Sequence, residues 1–229
     1  MHMLRALFAR ARWILKNEGL IAFLRRAFIY TFTYLSRIFF RYSVVYLYEH
    51  TIQERNEAAF IPKIQNFTSH VVSTNQMADE LARDSSNDFR LLNLSAKRCL
   101  DKGAVAFLVF VGPELAHIGW MAMTEEAKNT FDWLPYHVDF SNNQACTGGT
   151  YTIPKYRGKG LMTYGYYRRF KYLGEREIKT SRNAVLVNNV ASQKVHAKFE
   201  PKIIAEARYL KVLWFKYWKE KPLTGNGCN

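Results

Sequence analysis

The sequence of residues 151–161 is Tyr151-Thr152-Ile153-Pro154-Lys155-Tyr156-Arg157-Gly158-Lys159-Gly160-Leu161. Its pattern predicts the end of a strand, a turn at the proline, a basic loop and the first turn of a helix. The N–H groups at the beginning of a helix favour an anion, and glycine lets the backbone approach a ligand closely. The stretch therefore predicts a loop that binds a phosphate or pyrophosphate group. A solvated strand-to-helix turn without a ligand is the alternative.

The loop fits neither of two familiar nucleotide-binding motifs. It lacks the Gly-x4-Gly-Lys-Ser/Thr spacing of a P-loop. It also lacks the third glycine of a dinucleotide fingerprint, because Thr163 stands at that position. Its meaning therefore depends on the segments around it.

Those segments predict an α+β domain in which helices flank a central sheet. The hairpin and the strand that feeds the loop are the clearest, because apolar runs end at turn residues. Glycines at 148 and 149 predict either a β-bulge or a close backbone approach in that strand. The predicted strands are Val44 onward, Phe67–Val72, Ala104–Val111, Leu115–Met123, Ala145–Ile153, Ala184–Val187 and Ile203–Trp218, the last split near Tyr209. The predicted helices are Met77–Arg98 with a break at 84–88, Leu161–Leu173 and Val190–Phe199, while residues 124–143 form a loop.

Composition indicates a folded protein of one or at most two domains. The chain has 229 residues, of which 48% are hydrophobic and 15% aromatic. Its three cysteines, Cys99, Cys146 and Cys228, are unevenly spaced. They form neither a disulfide framework nor a zinc motif, so we expect a reducing compartment and no metal.

The net charge of +14 is unevenly distributed. Residues 1–50 carry +6, residues 51–150 carry −4 and residues 151–229 carry +12. The acidic middle argues against a uniformly basic nucleic-acid-binding protein. Basic ends fit a phosphorylated cofactor, anionic lipid headgroups or both.

Residues 1–43 form a basic, aromatic-rich region that is predicted to be helical and amphipathic. Its longest stretch without a charge, residues 27–36, is too short to cross a membrane, which takes about 20 residues. Apolar faces between arginines are typical of helices in a membrane interface. We therefore expect a cytoplasmic protein that binds the anionic inner face of the membrane through residues 1–43. Packing of these helices on their own domain or in a homodimer is the alternative.

Two motifs together resemble the GNAT superfamily of acyl-CoA-dependent N-acyltransferases. Residues 152–160 are similar to the family's Val-x-Pro-x-x-Arg-Gly-x-Gly, with Lys155 where the family has Gln or Arg. About thirty residues on, Asn189, Ser192, His196 and Lys198 stand where the family often has Asn, a small residue, Tyr and Lys. The resemblance implies a mostly antiparallel, mixed central sheet in a domain over residues 44–221, with a flexible tail at 222–229.

The resemblance also implies an acyl-CoA co-substrate, acetyl-CoA above all, and direct attack of a small amine on the thioester. The cofactor would lie between the strands 145–153 and 184–187, where a backbone N–H polarises the thioester carbonyl. The residues implied in cofactor binding are Tyr151, Thr152, Ile153, Lys155, Arg157, Gly158, Lys159, Gly160, Leu161, Asn189 and Ser192.

His196 stands at the family's usual tyrosine position, so it is the candidate general acid for the leaving thiolate. A histidine buried between helix and sheet is the alternative. The general base is unassigned among His117, Glu125, Glu126, His137, Asp139 and a water relay. Cys146 is read as a buried strand cysteine rather than a nucleophile.

The predicted function is transfer of an acetyl or other short acyl group to an amine, with an amino sugar of a membrane or envelope precursor as the suggested acceptor. The alternative is a CoA-binding or membrane-associated module of the same fold without catalysis.

Overall fold

The computed structural model describes residues 20, 21, 24, 39–85, 88–91 and 95–223. The helices predicted within residues 1–43 lie almost wholly outside the described residues, as do residues 224–229 of the tail predicted for residues 222–229. Contacts divide the chain into two units. The larger comprises residues 44–207 and 220–229, and the smaller comprises residues 1–43 and 208–219.

The described residues form one sheet of eight strands in the order β2-β3-β4-β5-β6-β1-β7-β8. The pair β5–β6 is parallel, whereas β1–β6, β2–β3, β3–β4 and β4–β5 are antiparallel. The predicted α+β class with a mixed, mostly antiparallel sheet is thereby confirmed. The strands are β1 Phe40–Thr51, β2 Phe67–Val72, β3 Val105–Val111, β4 Glu114–Ala122, β5 Gln144–Thr152, β6 Thr180–Leu186, β7 Lys202–Val212 and β8 Phe215–Pro222.

Five α-helices lie within the described residues, and none of them is long and apolar enough to cross a membrane. The helix at Glu125–Phe131 was not predicted, because residues 124–143 were expected to form a loop. Thr124 caps this helix with its Oγ1, which accepts a hydrogen bond of 3.2 Å from the N–H of Ala127. With seven residues the helix is too short to show a clear period. The helices are α1 Asn75–Ser85, α2 Ala96–Asp101, α3 Glu125–Phe131, α4 Leu161–Gly174 and α5 Val190–Ala197.

Helix α4 is fixed on the sheet by its apolar face. Leu161, Tyr166, Phe170 and Leu173 are buried in one core cluster with side chains of β3 and β4. Burial of each such side chain contributes on the order of 1.5–3 kcal/mol. This packing sets the position of the beginning of α4, which follows β5 directly.

The end of the chain differs from the prediction at one turn. A last strand or a strand pair was expected over Ile203–Trp218 with a split near Tyr209, but β7 continues to Val212 and the turn lies at Leu213-Trp214. Leu213 has a φ of 56° there. Neither residue is a typical turn former, so the sequence carried no signal for this turn.

Candidate active site

Strands β5 and β6 separate within the sheet and leave a cavity between them. They pair from Gln144 with Thr180 to Cys146 with Arg182 and no further. A cavity of about 870 Å³ lies beyond that point. It is bordered by residues 148–152 of β5 and by residues 183–186 of β6. The backbone of both strands therefore lies along a space large enough for an extended ligand.

A β-bulge lies in β5 beside this cavity, as the two glycines predicted. Ile118 pairs with Tyr151 and Trp120 pairs with Gly148, so two residues of β5 lie opposite Gly119 alone. Gly149 has a φ of 53°, and a Cβ there would lie 2.8 Å from Cδ1 of Trp120. Only glycine fits this position without a shift of its neighbours.

The buried guanidinium of Arg169 on α4 holds the bulge from below. Its Nη1 donates to the carbonyl oxygens of Trp120 at 3.1 Å and Gly148 at 3.5 Å, and its Nη2 donates to Oγ1 of Thr150 at 3.4 Å. Burial lowers the pKa of Arg169, yet a guanidinium remains protonated in proteins. A positive charge therefore lies next to Gly148 and Thr150, which line the cavity. This role could not be predicted from the sequence, because no local pattern distinguishes Arg169 from a surface arginine.

The basic loop closes one end of the cavity. After a 3₁₀ turn over Pro154–Tyr156, Gly158 and Gly160 have φ values of 75° and 86°, in the left-handed region that favours glycine. Gly160 is the N-cap of α4, whose first N–H groups have no acceptor inside the helix. The N–H of Lys63 donates to the carbonyl of Lys159 at 3.0 Å, which joins the loop to the segment before β2.

Most of the predicted cofactor-binding residues line this cavity. Asn189 caps α5, since its Oδ1 accepts a hydrogen bond of 3.1 Å from the N–H of Ser192. Lys155 is directed elsewhere, because it forms an ion pair with Glu114 that raises the pKa of the lysine. The lining residues among those predicted are Tyr151, Thr152, Arg157, Gly158, Gly160, Leu161, Asn189 and Ser192, whereas Ile153, Lys155 and Lys159 are not among them.

The lining is basic. Lys63, Arg157 and Lys198 contribute to it, and no Asp or Glu does among the described residues. Such a surface favours a polyanion. The contributions of Lys63, Phe60 and Ile61 could not be predicted from the sequence, because this segment lies about a hundred residues before the loop and carries no motif. Tyr166 and Asn183 also line the cavity and were not predicted either.

His196 does not line the cavity. It is fully buried, its Nδ1 lies 3.0 Å from Nε2 of His50, and its Nε2 accepts a hydrogen bond of 3.2 Å from Nδ2 of Asn183. Burial lowers the pKa of His196 well below its usual value, so the ring is neutral near pH 7. Its surroundings match the buried histidine that was the alternative to a general acid.

The candidate bases are also not brought to the cavity. His117 is buried with its Nδ1 2.8 Å from Oγ1 of Thr152, and burial lowers its pKa to about 3. Glu125 pairs with Lys128 and Glu126 with Lys102. None of His117, Glu125, Glu126, His137 and Asp139 is a lining residue.

Cys146 lies at the last paired position of β5, fully buried, with its Sγ 3.2 Å from the hydroxyl of Tyr136. Burial raises the pKa of its thiol. A thiol without access to the cavity and with a raised pKa is a poor nucleophile, which agrees with the structural interpretation of this residue.

Solved structures provide the comparison for this fold, since no protein-family model and no curated protein matches the chain. A glucosamine N-acetyltransferase region of a fungal multi-domain β-N-acetylglucosaminidase, described as GCN5-related, matches with a TM-score of 0.51 and 12% identity. The match covers 79% of this chain and 22% of that one.

Two bacterial structures match with lower scores. A GNAT-family acetyltransferase from Colwellia psychrerythraea has a TM-score of 0.48 and 15% identity, over 76% of this chain and 57% of its own. A GCN5-related N-acetyltransferase from Sphaerobacter thermophilus has a TM-score of 0.46 and 10% identity, over 83% and 56%. The chain thus spans little more than half the length of these two. The fungal match shows that the fold is that of the GNAT superfamily, as the two motifs predicted.

Proposed function

Because the domain has the GNAT fold, we propose that the protein is an N-acyltransferase that moves a short acyl group from acyl-CoA to a small amine. The observation that carries the proposal is the separation of β5 and β6 directly beside the basic loop. A parallel pair that opens at Cys146 leaves backbone donors and acceptors for an extended ligand, and the loop supplies a place for its phosphates.

The residues of the loop and the lining would hold acyl-CoA. The N–H groups at the beginning of α4, with Lys63, Arg157 and Lys198, are suited to the phosphates. Asn189 and Ser192, which line the cavity, would hydrogen-bond the pantetheine arm of acyl-CoA. Acyl-CoA itself supplies an activated thioester, and the N–H groups of β5 at the bulge would polarise its carbonyl oxygen.

For the proton that the leaving thiolate takes up, we propose Tyr166 in place of His196. Tyr166 lines the cavity, and the Cζ of Arg169 lies 4.0 Å from the centroid of its ring. The described lining residues include neither a carboxylate nor an imidazole that could act as a base. The amine is therefore expected to arrive neutral or to lose its proton to water.

The acceptor that we propose is the primary amine of an amino sugar. The basic residues at both ends of the chain suit an anionic precursor of a membrane or envelope, which is the support for this choice. The fungal region is described as acting on glucosamine, and glucosamine is therefore a natural first member of an acceptor panel.

The test has two stages. Titration calorimetry with acetyl-CoA should show binding that Arg157→Gln weakens and Lys159→Gln, outside the lining, leaves unchanged. Absence of binding by the wild type would refute the cofactor assignment.

Thiol release from acetyl-CoA is then measured with glucosamine, other amino sugars, polyamines and N-terminal peptide amines. Acyl-CoA binding without turnover of any amine would favour a second candidate, a CoA-binding module, which agrees with the absence of a carboxylate and an imidazole among the described lining residues.

A further inference from the structure

The turn between β7 and β8 exposes a cluster of apolar side chains. We call residues 212–215, Val-Leu-Trp-Phe, the hairpin tip. Trp214 is 86% exposed and Phe215 57%, and both other tip residues are exposed as well. Single exposed apolar residues are ordinary on protein surfaces, but four in succession at a turn are not.

The backbone conformation of the tip does not favour the apolar residues that occupy it. Tight hairpin turns use Gly, Asn or Asp where φ is positive. Here Leu213 adopts a φ of 56°, a conformation that is uncommon for a branched side chain. Its N–H donates a hydrogen bond to the carbonyl of Phe39, which holds the turn in place. Leu213 thus occupies a position where Gly, Asn or Asp would adopt the observed backbone conformation at a lower cost.

Further apolar residues of the same unit extend this surface. Phe39, Phe40 and Tyr42, at the beginning of β1, are each at least half exposed. Tyr217 is exposed on β8. Because Phe39 is hydrogen-bonded to Leu213, the apolar surface continues from the tip to the beginning of β1.

Positive charges flank the tip. Lys211 and Lys216 adjoin it directly and Lys219 follows, while residues 207–219 contain no Asp or Glu. Trp prefers the boundary between headgroups and acyl chains, and each lysine near an anionic membrane adds favourable electrostatic energy. An exposed Trp between lysines is therefore suited to a membrane whose acyl chains are apolar and whose headgroups are anionic.

We propose that the hairpin tip inserts into the headgroup layer of an anionic membrane, with Lys211, Lys216 and Lys219 on the lipid phosphates. A second copy of the chain fits less well, because a symmetric contact through the tip would bring like charges together. Single-stranded nucleic acid would stack on Trp214 and Phe215 but would gain nothing from Val212 and Leu213. This membrane contact is independent of acyl transfer.

The experiment is sedimentation of the full-length protein with vesicles of phosphatidylcholine, either pure or containing anionic phosphatidylglycerol. We expect binding to the anionic vesicles that falls at high salt. Trp214→Ser should lower the partition coefficient by about tenfold or more. Lys216→Gln and Lys219→Gln should each lower it about fivefold. The matched controls are Trp133→Ser and Lys171→Gln, exposed positions in the larger unit that should bind like the wild type.

The depth to which the hairpin tip inserts into the membrane is measured with brominated lipids. Their quenching of tryptophan fluorescence should be strong in the wild type and largely lost in Trp214→Phe, a variant that keeps an aromatic tip. Equal binding of the wild type and Trp214→Ser would overturn the proposal, because residues 1–43 would then carry the binding alone. Absence of binding to anionic vesicles would also overturn it, and a dimer or a single-stranded DNA complex lost in Trp214→Ser would identify the other occupant.

Discussion

Three buried histidines, His50, His117 and His196, make the stability sensitive to acid. Burial lowers the pKa of His50 to about 4 and that of His117 to about 3, whereas a histidine in the unfolded chain titrates near 6.5. Between these values the unfolded chain binds protons that the folded protein does not. The contribution of these histidines to stability is therefore complete above about pH 6.5 and decreases as the pH falls towards their pKa values in the folded protein.

The free energy of unfolding, measured with urea from pH 7.5 to 4.5, tests this expectation. His117→Gln removes one such group, so the dependence on pH should become shallower by up to about 1.4 kcal/mol per pH unit below pH 6. His137→Gln, at an exposed position, is the control and should keep the wild-type slope. An unchanged slope in His117→Gln would show that His117 is protonated in the folded protein.

Tyr166 and His196 can be separated by paired substitutions. Tyr166→Phe should lower kcat about 100-fold if Tyr166 protonates the leaving thiolate, while the affinity for acetyl-CoA and the stability stay close to wild type. His196→Gln should lower the stability instead, because His196 hydrogen-bonds Asn183 and lies beside His50 in the core. The reverse result, with lost turnover in a stable His196 variant, would restore His196 as the acid.

Residue roles could be predicted where the signal is local. The conformation of the glycines at 158 and 160 depends on a few neighbouring residues, and the structure has both glycines in the loop before α4 as expected. The surroundings of His196 could not be predicted in this way. Its partner His50 is 146 residues away in the chain, and the pairing depends on where β1 enters the sheet.

At the scale of elements, the β-bulge of β5 depends on glycine more strongly than the basic loop does. Gly158→Ala should cost about 1 kcal/mol, because its φ is positive but the space around it is open. Gly149→Ala should cost about 2–4 kcal/mol, because its Cβ would also contact Trp120. Urea denaturation without a ligand measures both. Equal costs would mean that the bulge rearranges to admit a side chain.

Elements with a clear period or a clear turn could be predicted from the sequence, and short elements could not. Helix α4 and the β3–β4 hairpin lie within a residue or two of their predicted bounds. Helix α3 was missed because seven residues make only two turns. The position of β1 between β6 and β7 was also beyond reach, because pairing partners so far apart leave no local pattern.

In the whole molecule, positive and negative charges are unevenly distributed along the chain, and positive side chains come together at the cavity. The most acidic segment, residues 51–150, contributes Lys63 to the lining but no carboxylate among the described residues. The three basic lining residues come from distant parts of the chain, so the sequence could predict a basic C-terminal part but not a basic cavity. This arrangement predicts how ligand affinity responds to salt.

The affinity for acetyl-CoA should fall several-fold between 50 and 500 mM salt, because the screening length shrinks from about 14 Å to about 4 Å over that range. Acetyl-pantetheine, which lacks the nucleotide and its phosphates, should bind more weakly and respond little to salt. Lys198→Gln should weaken acetyl-CoA binding at low salt and make its salt dependence shallower, whereas Lys159→Gln should do neither. Calorimetric titration of both ligands measures these slopes. Equal salt dependence of the two ligands would mean that the phosphates lie outside the basic cavity, and the orientation proposed for acyl-CoA would have to be reversed.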